Sequence, residues 1–165
     1  MTDSTGDMLC KALDLERKAL DFYTDAQVRC PSELARKVFG VLAEDKLRVA
    51  RRLAEIHAAL NQGISLVGAC RLTEEETPGP GVFAELKAGY TGVPAECQAE
   101  LDVLMLAMEV EQACLKHLED QLREARDKDV RFFLERAMEE ERGHFILLSD
   151  MRYYFERFAE SAAKK

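Results

Sequence analysis

Shifted by 95 positions, this chain lines up with itself. Leu9 falls on Leu104, Ala12 on Ala107, Glu16 on Glu111, Leu20 on Leu115 and Leu53 on Leu148. Glu44 falls on Glu139 and Asp45 on Glu140. One gapless offset of this kind marks a duplicated helix pair, so the fold must be built from two similar halves. The correspondence fails at one place in particular. The second half carries Glu141 and His144, and the first half has Lys46 and Val49 at the matching positions.

Apolar spacing predicts four long helices. The first runs from about Asp7 to Arg29, with Leu9, Leu13, Glu16, Leu20 and Tyr23 on one stripe. Pro31 or Ser32 starts the second, which continues to about Leu60 through Leu42, Lys46, Val49 and Leu53, and Asn61-Gln62-Gly63 stops it. The third opens at Pro94 and reaches about Ala125, with Leu104, Met108, Glu111, Leu115 and Leu118 alternating in steps of three and four. Asp127 or Asp129 caps the fourth, which carries Leu134, Glu141, His144, Leu148 and Met151.

Residues from about 61 to 94 differ in character. They hold six of the nine glycines and three of the four prolines, including Pro78-Gly79-Pro80-Gly81, with a short helical piece expected over Val82 to Ala88. A connection this long is uncommon in a compact domain unless it crosses the bundle. Two helix pairs joined by such a crossover give an all-α, ferritin-like four-helix bundle, with residues 1–165 as a single domain.

Composition narrows the function. The net charge of −8 disfavours nucleic acid as a partner. Charged residues interrupt every apolar run, and no signal peptide or membrane span is expected. Five cysteines without a Cys-x-x-Cys pair read as reduced thiols in a cytoplasmic protein, with Cys114 a small apolar filler near a buried helix face.

Glu16, Lys46, Glu111, Glu141 and His144 all fall on stripes that are otherwise apolar. A buried, unpaired carboxylate costs several kcal/mol, so five ionisable residues on inward faces imply a common polar cluster. Glu141 and His144, three apart, share a helix face and can grip one cation, and Glu111 adds a second carboxylate. Two carboxylates and an imidazole suit iron, manganese or zinc. The inward stripe through Leu42, Val49 and Leu53 favours Lys46 and Val49, rather than Asp45 and Arg48, as the altered pair.

These residues resemble the rubrerythrin branch of the ferritin-like family. The likeness rests on Glu16 with Ala19, Phe22 and Tyr23, on Glu111, on Glu141 with His144, and on the segment Ser149-Asp150-Met151-Arg152-Tyr153-Tyr154-Phe155. It implies a non-haem diiron protein that reduces peroxide or oxidises ferrous iron. By the same resemblance, Lys46 replaces a glutamate that bridges both irons, Val49 replaces a histidine ligand, and Cys114 stands where another carboxylate can occur. No rubredoxin-type cysteine pairs are present, so electrons would come from an external donor protein, and a homodimer is expected.

Two readings therefore stand. In the first, Glu111, Glu141 and His144 bind one metal ion, Glu16 is an outer carboxylate near Lys46, and Tyr23 supports the cluster. An activity, if present, would be that of an iron-dependent oxidoreductase. In the second, no cofactor is bound, and Lys46 replaces the metal by salt bridges in a scaffold or interaction protein. His57 and His117 lie off the matched positions and are expected at the surface or boundary. Glu139 and Glu140 are expected on a solvated face.

Overall fold

A computed structural model describes residues 2–72 and 97–164, all the described elements being helices. Helix α1 spans Thr2–Arg29, α2 Glu33–Asn61, α3 Leu66–Leu72, α4 Cys97–Glu124 and α5 Lys128–Ala163. The expected Val82–Ala88 helix lies outside the described residues. Two antiparallel pairs, α1 with α2 and α4 with α5, make the bundle; α1 also lies along α4, and α3 bridges α2 and α5.

Local chemistry sets the helix ends. Ser32 caps α2, its hydroxyl accepting from the Ala35 N–H at 3.3 Å. The backbone N–H of Ser32 donates to the buried Glu100 carboxylate at 2.7 Å, which ties the α1–α2 turn to α4. Gly63, at φ +84°, supplies the left-handed turn that ends α2. Asp127 caps α5 by accepting from the N–H groups of Asp129 and Val130, at 2.8 and 3.1 Å.

Helix α5 runs 36 residues, well past the Met151 that closed the apolar pattern. Phe155 explains the extension: it is fully buried, and Tyr154 packs edge-on to both Phe155 and Phe158. Tyr153 points outward. Helix α3 was not legible, because seven residues with a glycine inside show no periodicity. Burial of Leu66 and Ala69 supports it instead.

The core divides into two apolar clusters. One contains Ala19, Tyr23, Leu42, Ala43, Leu104, Ala107 and Leu148. The other contains Ala12, Val49, Leu53, Leu118, Leu134 and Met138. Along all four long helices, the chain passes from one cluster to the other through buried ionisable residues: Glu16 on α1, Asp45 and Lys46 on α2, Glu111 on α4, and Glu141 and His144 on α5. A polar layer thus crosses the middle of the bundle.

Candidate metal centre

Lys46 stands at the centre of this layer and is fully buried. Its Nζ donates to Glu141 Oε2 at 2.7 Å and to Glu111 Oε2 at 3.1 Å. Glu16 Oε2 lies 3.2 Å away as an ion pair and accepts no hydrogen bond. Burial alone would favour neutral lysine, but Glu141, Glu16 and Glu111 outweigh it and hold the ammonium well above its ordinary range.

The carboxylates respond unequally. Burial, with the charge of Glu141, pushes Glu16 up, and burial likewise raises Glu111. Glu141 is also desolvated, yet Lys46 and hydrogen bonds within the cluster hold it well below the carboxylate range. The Tyr23 hydroxyl donates to Glu111 Oε1 at 2.5 Å, while its ring stacks on Phe39. Tyr23 therefore fixes the outer oxygen of Glu111 and leaves Oε2 to face Lys46.

His144 closes the layer on the α5 side. Its Nε2 bonds to Asp45 Oδ2, and Asp45 Oδ1 accepts from Arg48 Nε at 2.9 Å. The other ring nitrogen, Nδ1, is buried without a hydrogen-bond partner, 3.6 Å from both Glu111 Oε2 and Glu141 Oε2. Burial would lower the imidazole pKa, but Asp45, Glu111 and Glu141 raise it well above the usual histidine range.

Of the residues singled out in the sequence, Glu16, Lys46, Glu111, Glu141, His144 and Tyr23 meet in one cluster. Glu111, Glu141 and His144 each offer a ligand atom within 4.8 Å of the others. Val49 is buried one turn from Lys46 and brings no donor. Cys114 has its sulfur within the same reach of Glu16 and Glu141, and burial pushes its thiol pKa up.

The sequence reading set Asp45 and Arg48 against Lys46 and Val49 as alternatives and left Asp45 out of the cluster that it joins beside Lys46. Asp45 is only 5% exposed and reaches His144 from the edge of the face that Lys46 occupies. The signal was present: the repeat pairs Asp45 with Glu140, so a carboxylate precedes the ligand position in both halves. Glu140 is likewise held rather than solvated, its Oε2 accepting from Arg52 Nη2 at 2.7 Å. Asp45 reaches His144 of the other half, and the repeat makes position 49 the counterpart of position 144 for Glu140. Val49 cannot donate, and Arg52, one turn on, takes the carboxylate instead. His117, expected at the surface or boundary, is buried, and His57 Nε2 lies 3.5 Å from Cys10 Sγ.

The donor set fits a divalent ion on one side of Lys46. Asp45 holds the far nitrogen of His144, as carboxylates do for metal-ligating histidines, and so orients the near nitrogen to exchange its proton for an ion. On the other side, the ammonium and Val49 stand where further ligands would be needed. The family model described as Rubrerythrin matches residues 7–151, a span containing every residue of the cluster. No curated protein and no solved structure matches the chain. Among the described residues, no helix is long and apolar enough to cross a membrane.

Proposed function

This chain belongs to the rubrerythrin family, and from that premise we propose that it holds one divalent metal ion per chain, on Glu111, Glu141 and His144. The observation that carries this reading is the buried, unpartnered Nδ1 of His144, which faces the two carboxylates while Asp45 holds Nε2. Charge supports the count of one. Glu16, Glu111 and Glu141 balance one ammonium and one divalent ion, whereas a second divalent ion would leave two uncompensated positive charges in a low-dielectric layer.

Iron is the ion favoured by family membership. It would supply a one-electron couple and a Lewis-acidic centre. The chain's own residues do the rest: Asp45 orients His144, Tyr23 restrains Glu111, and Lys46 neutralises Glu16 and the shared faces of the other two carboxylates. The role is iron handling or one-electron redox chemistry connected with oxidative stress, with electrons taken from a separate donor protein. A homodimer is the assembly we expect.

A second reading is favoured by the same lysine. Lys46 reaches all three glutamates, and His144 and Arg48 reach Asp45, so with His144 protonated and one carboxyl proton the layer is neutral without an ion. The protein would then be a metal-free scaffold whose cluster sets helix register.

Elemental analysis separates the two. Protein purified without added metal, and again after anaerobic ferrous loading, should carry close to one ion per chain. His144→Ala and Glu141→Ala should lose it while remaining helical by circular dichroism. No bound metal in either wild-type sample would establish the scaffold reading.

A further inference from the structure

Cys114 lies three residues after Glu111 on α4, and both are buried on its inward side. The Cys114 Sγ, a carboxylate oxygen of Glu16 and one of Glu141 all lie within 4.8 Å of one another. Glu141 thus belongs to two donor groups, one with Glu111 and His144, the other with Glu16 and Cys114. On the side where Lys46 and Val49 bring no ligand, Cys114 brings one. Burial pushes its thiol pKa up, so without an ion it is a neutral, unreactive thiol.

Glu16 keeps this second group open. Its Oε2 is buried, in a residue only 5% exposed, and meets Lys46 Nζ as an ion pair at 3.2 Å without accepting a hydrogen bond. The donors of the layer are spent elsewhere: Lys46 on Glu111 and Glu141, Tyr23 on Glu111. A buried carboxylate oxygen in that condition has capacity left for a cation. The two groups differ in what they prefer. Glu111, Glu141 and His144 offer oxygen and nitrogen, which suit iron(II) and manganese(II), whereas a thiolate favours softer, more polarizable ions.

We propose that Glu16, Cys114 and Glu141 form a separate, thiolate-containing site for a soft divalent ion, for which cadmium is the probe, while iron(II) goes to the His144 side. Both groups need Glu141, so one ion is held at a time, and the softness of that ion decides which side it takes. The exchange balances. The Cys114 thiol proton and the one carboxyl proton of the layer leave as the ion enters, two positive charges for two. Lys46 and the His144–Asp45 pair keep their charges throughout, so the layer stays neutral. The site shares Glu141 with the iron reading but makes no use of His144, and the two can therefore fail separately.

The test is anaerobic titration of the reduced full chain with cadmium, followed by ultraviolet absorption. A sulfur-to-cadmium charge-transfer band should grow in and saturate at one ion per chain. Cys10→Ser, which removes the exposed thiol beside His57, should keep the band. Cys114→Ser should lose it and weaken cadmium by about 100-fold, at least the effect of losing a supporting partner, while iron bound after anaerobic ferrous loading stays at the wild-type value. His144→Ala should do the reverse, losing iron and keeping the band. Glu16→Gln should weaken cadmium more than iron, and it keeps the test valid should the serine variant at position 114 not fold. A band without bound iron would uphold this site and remove the one on His144. No band, a band unchanged by Cys114→Ser, cadmium lost together with iron in His144→Ala, or cadmium unaffected by Glu16→Gln would overturn the proposal.

Discussion

Lys46 and Glu141 are one repeat apart and bond to each other at 2.7 Å, the shortest contact the lysine makes. Residues equivalent under an internal two-fold can touch only near its axis, so this pair marks the centre of the duplicated bundle. Two glutamates there would repel unless a cation lay between them. In this chain one of the two equivalent positions has itself become the cation.

That arrangement makes Lys46 the residue whose loss should cost most. Lys46→Met keeps the length and removes the charge, leaving Glu16, Glu111 and Glu141 buried without their common partner. Breaking a buried ion pair typically costs about 3–5 kcal/mol, and urea unfolding of the metal-free protein at neutral pH should show a loss of that order. Added zinc should recover part of it, by supplying the missing positive charge. A variant as stable as wild type would place Lys46 outside the energetics of the cluster.

The lost half of the site should be recoverable. Lys46→Glu with Val49→His restores at both positions the residue types of the second repeat, and iron bound after anaerobic loading should rise from about one towards two per chain. Bound iron that does not rise in a folded double variant would mean that the surroundings of Val49, including the Arg52–Glu140 pair, no longer admit a ligand.

Asp45 acts on the ion only through His144. Asp45→Asn keeps the shape and removes the charge behind Nε2, and the affinity for zinc in a competition titration should fall about 10–100-fold, with one ion still bound at saturation. Complete loss of binding would instead make Asp45 a direct ligand.

Arg52 and Glu140 test the repeat itself. Their side chains are 13% and 8% exposed, so Arg52→Ala strands a largely buried carboxylate and should lower stability by about 3 kcal/mol, the lower end for such pairs. If position 49 is the original partner of Glu140, Val49→His should offset part of that loss when combined with Arg52→Ala. The coupling would be read from a double-mutant cycle. Strict additivity of the two substitutions would count against the assignment.

His117 gives a pH dependence separate from the cluster. Burial lowers its pKa and the charge of Lys11 lowers it further, while a hydrogen bond with the Met8 backbone and the charge of Asp120 oppose the shift without reversing it. The unfolded chain therefore binds the proton more readily than the native one. This contribution to stability is complete above the unfolded value, about 6.5, and is lost as the pH falls through the folded value. The stability difference between wild type and His117→Gln, from urea midpoints, should hold above about pH 6.5 and shrink as the pH is lowered below it. A constant difference on both sides of that pH would show that His117 titrates alike in both states.

The sequence by itself determined the helix pairs, their inward faces and the identity of the altered position. Helical periodicity is a local property, and a constant offset makes each half a reading frame for the other. Lys46 could thus be placed opposite the glutamates from spacing alone. Asp45 was legible only in part, because at the edge of a helix face the direction of a side chain depends on what lies across the gap. His144 on α5 decided it. Helix α3, the extension of α5 through Phe155 and the burial of His117 likewise came from partners distant in sequence, whose packing supplies the free energy that local propensity lacks. Tertiary structure alone decided that Arg52 takes Glu140 as its partner, since a salt bridge between residues 88 apart on different helices leaves no period in the chain.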